Sequence, residues 1–388
     1  MIDQIKKALK KHKGNKAAAA RELGIARTTL HDALEREGRT SKISSSPGEP
    51  PAIRDLRKAE KKTADLLEEL KLEKEKRKQA EQDLEEILTR EEIQKEVFSS
   101  PIDLKITPPK RNKKTKSSST AIICACDWHA EANVSPDLVN NLNEFNLKIC
   151  QKRVARLWEK SVYLIEFARQ ICDIQDAVLW LGGDLINGYI HEELQEGNFL
   201  GPSEAIVFIQ QLVSSGIKIL IEQGKLQNLR VICNYGNHSR STSRPRISTG
   251  WKTNWEWLGY ETMAGRGWGK SVEWMVPKGY HIYEDIQGRP VRFHHGDSIK
   301  YSGGIGGIPI PVFKATKQWN EARHADLDIF GHFHQFLDTW KWVSWGCLVG
   351  YDPYALSIKA DYQPPTQTFI VIDKDRGKTM ALPIFVEE

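Results

Sequence analysis

Apolar and polar positions follow three different rhythms along the chain. Residues 3–12 place Ile5, Ala8 and Leu9 at helical spacing before Gly14-Asn15 interrupts, and a second helix, Lys16 to Leu23, stops at Gly24. A third helix is predicted from about Thr28 to Glu37. Thr28 or Thr29 can accept its first free N–H groups, and Leu30 with Leu34 forms an i, i+4 apolar pair. From Arg54 to about Phe98 helix formers dominate, with Leu56, Thr63, Leu70 and Leu84 at heptad spacing and Ala59, Leu66, Ala80 and Ile87 between them. Glu73 and Arg77 interrupt this seam, so a coiled coil pairs weakly in its middle, and a lone solvated helix fits the pattern equally well. Beyond Thr120 the rhythm becomes short, β-branched apolar runs that end abruptly in polar residues, with helix-like stretches at 140–171 and 203–223 between them. Alternation of strands and helices predicts an α/β fold for this part.

The breaks divide the chain into a helical head (1–40), a Ser/Pro/Gly-rich linker (41–53), the coiled-coil-like helix (54–98), a basic tether (99–119) and an α/β body (120–388). With 388 residues the chain exceeds what one core usually serves. Its net charge of +5 is unevenly spread: residues 1–40 hold ten basic against five acidic side chains, 99–120 hold six against one, and 121–388 hold 27 against 30. A basic front on a mildly acidic body suggests that contact with a polyanion is delegated to the front of the molecule. The apolar runs look too short for the roughly 18 residues a membrane helix needs, and MIDQIKKALKKHKG lacks the apolar stretch of a signal peptide. No membrane partner and a cytoplasmic setting are therefore expected. The six cysteines contain no C-x-x-C pair and read as reduced core residues.

Five strand-like runs carry the chemistry at their ends. AIICACD leads to Asp127 and His129, AVLWLGGD to Asp184, LRVICNYGNH to Asn237 and His238, VRFHHGD to His294-His295, and DIFGHFH to His332 and His334. Ligands in open α/β sheets gather outside the carboxyl ends of strands, so these endings can converge on one site. Asp127 and His129 are two apart, as are His332 and His334, and on an extended strand each pair faces one side. The set supplies more ligands than one tetrahedral ion uses, which predicts a pair of metals. Gly183, Gly236, Gly296 and Gly331 flank four of the endings.

Two resemblances follow from these residues. GNKAAAARELGIARTTLHDAL resembles the Fis-type helix-turn-helix of bacterial DNA-binding proteins, which implies that the third helix offers Arg27, Thr28, Thr29 and His31 to the DNA major groove. D-x-H, GGD, GNH, HHGD and GHFH, in that order over 127–334, resemble the calcineurin-like metallophosphoesterases, whose fold is a two-sheet α/β sandwich. That resemblance implies that Asp127, His129, Asp184 and His334 hold one metal. Asp184 then bridges to a second, which Asn237, His295 and His332 complete, and His238 steadies the phosphate or protonates the leaving oxygen. It also implies hydrolysis by a hydroxide activated between the two ions. The chain departs from the family pattern at Ser239, where an acidic residue usually follows GNH, and at Asn187, where GDxxD ends in Asp. Both departures bear on how His238 is oriented more than on metal binding.

Arg240, Arg244, Arg246 and Lys252 follow His238, interleaved with Trp251, Trp255 and Trp257. Basic groups beside aromatic faces are the parts of a nucleic-acid groove, although the tryptophans fit a small core under an inserted loop equally well. The combined expectation is a DNA-binding, two-metal phosphodiesterase, similar to the nuclease branch that includes SbcD-type repair nucleases, in a bacterial or bacteriophage setting. DNA is the partner, residues 54–98 offer a homodimer contact, and Mn²⁺ suits the oxygen and imidazole donors, with Zn²⁺ or Fe²⁺ close behind. The alternatives are a phosphomonoesterase or protein phosphatase localised by its head, and a DNA-binding regulator with a decayed site.

Overall fold

The computed structural model describes residues 2–12, 15–41, 50–100, 102–107, 117–301 and 306–387, with the side chains of residues 3, 27 and 36–41 outside the description. Residues 42–49 of the 41–53 linker and residues 101 and 108–116 of the 99–119 tether therefore lie outside the described residues. The chain divides into two compact units, Met1–Glu85 and Glu86–Glu388.

In the first unit, α1 (Ile2–Lys11), α2 (Lys16–Glu22) and α3 (Arg27–Ser41) enclose a small core of Ile5, Ala8, Ala19, Ala20 and Leu30. The alanines of α2 let its neighbours approach closely, as a helix-turn-helix requires. Asn15 starts α2 by accepting the N–H groups of Ala17 and Ala18 at 3.1 and 3.2 Å. Gly24, at φ +65°, makes the turn that sends the chain into α3. The third helix begins one residue earlier than its threonines suggest. Leu30 N–H bonds the Ala26 carbonyl, so Thr28 and Thr29 sit in the first turn as exposed residues rather than as its cap. The long helix α4 (Pro51–Ser99) follows, and its leucines at 56, 66, 70 and 84 are exposed.

The second unit takes in the last turns of α4, where Ile93, Val97 and Phe98 pack into its core. The strands are β1 (Ser118–Ala125), β2 (Asp173–Leu181), β3 (Asn228–Cys233), β4 (Val272–Met275), β5 (Ile282–Ile286), β6 (Arg289–Phe293), β7 (Leu327–Phe330), β8 (Leu337–Asp338), β9 (Trp342–Ser344), β10 (Thr366–Asp373) and β11 (Gly377–Phe385). The helices are α5 (Leu147–Ala168), α6 (Glu192–Gly197), α7 (Pro202–Glu222), α8 (Trp255–Ala264), α9 (Pro309–Ala322) and α10 (Pro353–Ser357). Two sheets result, β11-β10-β1-β2-β3-β4 and β5-β6-β7-β9-β8. Strands β1, β2, β3 and β4 run parallel, as do β6, β7 and β9.

Period-two alternation sorts each strand between two cores. Ala121, Ile123 and Ala125 of β1 point into the core under the helices, while Ile122 and Cys124 point into the core between the sheets with Trp180, Phe293 and Trp345. The fold is thus the expected two-sheet α/β sandwich. One expectation is corrected: α7 is long and apolar enough to cross a membrane by length and composition. Here Ala205, Phe208, Ile209, Leu212 and Val213 bury its apolar face against the sheet, which explains that composition.

Candidate metal centre

The five polar endings emerge from the carboxyl ends of β1, β2, β3, β6 and β7, and hydrogen bonds stitch them together beyond the last strand residues. Asp127 N–H donates to Gly183 O at 3.0 Å, His129 N–H to Asp184 O at 3.1 Å and Gly331 N–H to His295 O at 2.9 Å. Two groups of donors meet there. Asp127, His129 and His334 bring ligand atoms within 4.8 Å of one another, and so do Asp184, His295 and His332. Asn237 joins the second group, its Oδ1 lying 3.1 Å from His295 Nε2.

The spacing argument for the paired ligands needs correction. Asp127, His129, Asp184, His332 and His334 all have left-handed backbone, at φ 51°, 45°, 49°, 72° and 55°, so none lies on an extended strand. Left-handed turns, rather than pleat alternation, aim Asp127 and His129 at one place, and they send His332 and His334 to different groups. Five strained residues among seven candidate ligands mark a place where the surrounding fold over-determines the backbone. Glycine serves close approach here: a Cβ on Gly236 would lie 2.0 Å from Asp184 Oδ1, and one on Gly331 would lie 2.3 Å from Asp127 Oδ2.

Oxygen acceptors orient the imidazoles from behind. His295 Nδ1 faces Gly182 O at 2.9 Å and His129 Nδ1 faces Asn187 Oδ1 at 3.0 Å. The Asn187 amide is itself directed, because its Nδ2 donates to Asn198 Oδ1 at 2.7 Å. Each ring thus spends its Nδ1–H outward and turns Nε2 inward, the orientation a metal needs. His238 Nδ1 meets Asn187 O at 2.9 Å, and its main-chain N–H donates to Asp184 Oδ1 at 2.8 Å. Asn187 therefore supports both histidines without a carboxylate.

Two buried glutamates that the sequence reading did not single out complete the support. Glu131 accepts the N–H groups of Asn187 and Gly188 at 2.9 and 2.8 Å. Glu256, from α8, accepts those of Leu185 and Ile186 on one oxygen, and Gly236 N–H and Ser239 Oγ on the other at 2.8 and 3.0 Å. A carboxyl group thus stands next to Ser239 as the acceptor of its hydroxyl. Burial pushes both glutamates up to about 7, with Asp184 adding to the effect, against the pull of their N–H donors. The only sequence hint was an acidic residue inside an apolar helix turn, WEWLGY.

Electrostatics divide the imidazoles: His129 and His332 are held neutral, with a lone pair free for a ligand, whereas His295 and His334 are held protonated by neighbouring groups, a proton that a cation would displace. Burial, then His238 and His334, push His129 down to about 3; burial, then His295, pushes His332 to about 4. Burial opposes the charge on Asp184, but His295 and His238 outweigh it and hold the carboxyl well below its usual range. His295 is the counterpart: burial disfavours its charge, yet Asp184 holds it up to about 10. Cys126 lies within 4.8 Å of Asp127 and His295, but burial and the neighbouring Asp127 raise its thiol well above the usual value. It acts as a neutral donor to Asp127 Oδ2 at 2.9 Å rather than as a thiolate ligand.

The residues fit a divalent cation. Asp127 Oδ1 is buried without a hydrogen-bond partner, and His129 Nε2 and His334 Nε2 face each other at 3.2 Å, with His334 Nε2 3.6 Å from that orphaned oxygen. An unpaired carboxylate oxygen ringed by imidazole nitrogens is stabilised by a cation and costly without one.

The positions proposed for DNA contact fare differently. Thr28, Thr29 and His31 are exposed on α3, whereas the Arg27 side chain lies outside the described residues. Arg244, Arg246 and Lys252 are exposed, but Arg240 folds inward, donating Nη1 to Asn237 O at 2.7 Å and Nε to Thr242 O at 3.1 Å. The tryptophans do not form an open stacking face. Trp251 lies 4.8 Å from Trp257 with Lys278 Nζ 4.5 Å over its ring, and Trp255 packs against the helix-side core.

Comparison with known proteins adds the following. Residues 3–36 match the sequence profile described as bacterial regulatory protein, Fis family. No curated protein sequence matches the chain. Solved structures similar to it include Vps29 complexed with Zn²⁺ from Entamoeba histolytica, at 11% identity and a TM-score of 0.28, covering 68% of this chain and 99% of that one. A conserved uncharacterized protein from Streptococcus pneumoniae, described as a predicted phosphoesterase, is 9% identical with a TM-score of 0.28, covering 69% and 98%. A hypothetical protein from Pyrococcus horikoshii is 12% identical with a TM-score of 0.34, covering 69% and 89%.

Proposed function

We propose that this protein is a DNA-binding, metal-dependent phosphodiesterase that cleaves DNA, brought to its substrate by the helix-turn-helix. The observation that carries the reading is the meeting of two adjacent Asp/His groups at five strand ends, in a chain whose first residues match a Fis-type profile. Tethering a cleavage site to a DNA-binding head raises the local concentration of the polymer both act on.

Asp127, His129 and His334 would hold one cation; Asp184, Asn237, His295 and His332 would hold the other. Manganese suits this oxygen and imidazole set, since Cys126 stays neutral. Divalent ions so held supply Lewis acidity toward phosphoryl oxygens and a nucleophile at neutral pH. The chain's own groups do the rest. Arg240, pinned to Asn237 O, keeps a fixed cation beside the centre for phosphate charge. His238, its Nδ1–H committed to Asn187 O, leaves Nε2 free; in its doubly protonated form the ring passes the Nε2 proton to the departing oxygen and returns to the neutral tautomer. The exposed leucines of α4 support pairing with a second copy, which would present two helix-turn-helix heads to paired half-sites. Six free, buried cysteines support a reducing, cytoplasmic setting.

The test is incubation of the full chain with end-labelled single- and double-stranded DNA and Mn²⁺. Cleavage that disappears in Asp184→Asn and His238→Ala supports the reading. Phosphate release from p-nitrophenyl phosphate with DNA left intact replaces it with a phosphomonoesterase, and neither activity in metal-loaded protein leaves a DNA-binding regulator.

A further inference from the structure

The segment following His238 contains a feature that neither the metal centre nor the helix-turn-helix uses. From Ser239 to Trp255 there is no acidic residue, in a body that is otherwise slightly acidic. Within it, residues 243–249 are all exposed, and Ile247 is 101% exposed, the highest value among the exposed large hydrophobics. Among the described residues no acidic side chain pairs with Arg244 or Arg246.

The loop is exposed at its tip and tied at its root. Arg240 and Asn254 form an antiparallel bridge, and Ser241 N–H donates to Thr253 O at 2.8 Å. Asn254 Nδ2 reaches Gly236 O at 3.0 Å and Ser239 Oγ at 2.7 Å, fastening the root beside Asn237 and His238. Thr242 Oγ1 donates to Arg244 O at 2.8 Å, and Pro245 fixes one backbone dihedral between the two arginines. An apolar tip that follows closely on two unpaired arginines is the composition with which DNA-bending proteins part a base step while gripping nearby phosphates. With the tryptophans committed to packing, Ile247 is the apolar group left to meet bases.

We propose that residues 241–249 form a strand-opening wedge, in which Arg244 and Arg246 grip the phosphates of duplex DNA and Ile247 enters between neighbouring bases, unstacking the strand offered to His238. This rests on the phosphodiesterase reading for its purpose, but not for its test. Duplex oligonucleotides carrying 2-aminopurine at successive positions are bound by the full chain in EDTA, so that fluorescence reports unstacking without cleavage. The wild type raises the fluorescence at one or two adjacent positions. Ile247→Ser abolishes that rise while affinity falls by less than about tenfold, because phosphate contacts supply most of it. Ile247→Leu retains the rise, and joint Arg244→Ala and Arg246→Ala lowers the slope of log affinity against log salt by about 2. A wild type that binds with no rise, or an Ile247→Ser protein that keeps the full rise, overturns the wedge. So does a loop that serves a protein partner instead, in which case neither fluorescence nor salt slope responds to any of these changes. Ile247-dependent unstacking without any Mn²⁺-dependent cleavage keeps the wedge and removes the phosphodiesterase; cleavage with unstacking indifferent to Ile247 does the reverse.

Discussion

Glu256→Gln isolates the support of the metal centre from its ligands. The carboxylate oxygens of Glu256 accept from Leu185 and Ile186 on one side and from Gly236 and Ser239 on the other. Glutamine keeps the shape but turns one of those oxygens into an NH₂ group, which meets donors whichever way it faces. Ser239 can redirect its hydroxyl to Gly236 O, already 3.3 Å away, but a main-chain N–H cannot turn. At least one buried N–H is orphaned, at a cost of about 1–3 kcal/mol. For a large domain, roughly 2–4 °C accompanies each kcal/mol, so the melting temperature drops by about 2–12 °C. Because Leu185 and Gly236 adjoin Asp184 and Asn237, the same change loosens both ligands, and manganese affinity falls by about 10–100-fold. Thermal melts of the metal-free protein and calorimetric titration with Mn²⁺ measure the two effects separately. Unchanged melting together with unchanged metal affinity would refute the assignment of Glu256 as the carboxylate that holds the Asp184 and Asn237 loops.

Gly331→Ala puts a Cβ 2.3 Å from Asp127 Oδ2 and 2.5 Å from Cys126 Sγ, so the carboxylate must move. Overpacking costs about 1–3 kcal/mol, and calorimetry should show manganese binding weakened while the circular dichroism spectrum stays that of the wild type. Mn²⁺ at about a hundred times its dissociation constant should raise stability by roughly 2.7 kcal/mol in denaturant melts, with the gain erased by EDTA and absent in Asp184→Asn. Burial, then His294 and Arg292, hold His281 at about 3 against an ordinary 6.5. The unfolded chain takes up that proton first, so stability is lost as pH falls from 6.5 toward 3, and His281→Phe should lose less across this window in denaturant melts at stepped pH.

Much of the architecture is written locally. Each apolar run ends within a few residues of its first ligand-type side chain, although burial continues past it to Asp127, Asp184 and His295, and so β1, β2, β3, β6 and β7 and their chemical endings are readable without coordinates. The helix-turn-helix is readable for the same reason: alanines, a glycine turn and one apolar stripe are all neighbours in sequence. What stays hidden depends on residues far apart in the chain. Glu256 reaches Leu185 across 71 positions, and Gln367 holds Cys126 N–H across 241. The separation of His332 from His334 into different ligand groups comes from left-handed turns that only the packed loops enforce. Whether a tryptophan stacks on a base or on its neighbours, and whether an arginine faces outward or bonds a carbonyl, is likewise settled by what else is packed there. Sequence by itself determined which kinds of atoms stand at the strand ends, since period and composition are local properties. Tertiary structure alone decided which of them meet and what holds them, since desolvation and hydrogen-bond partnership belong to the assembled fold.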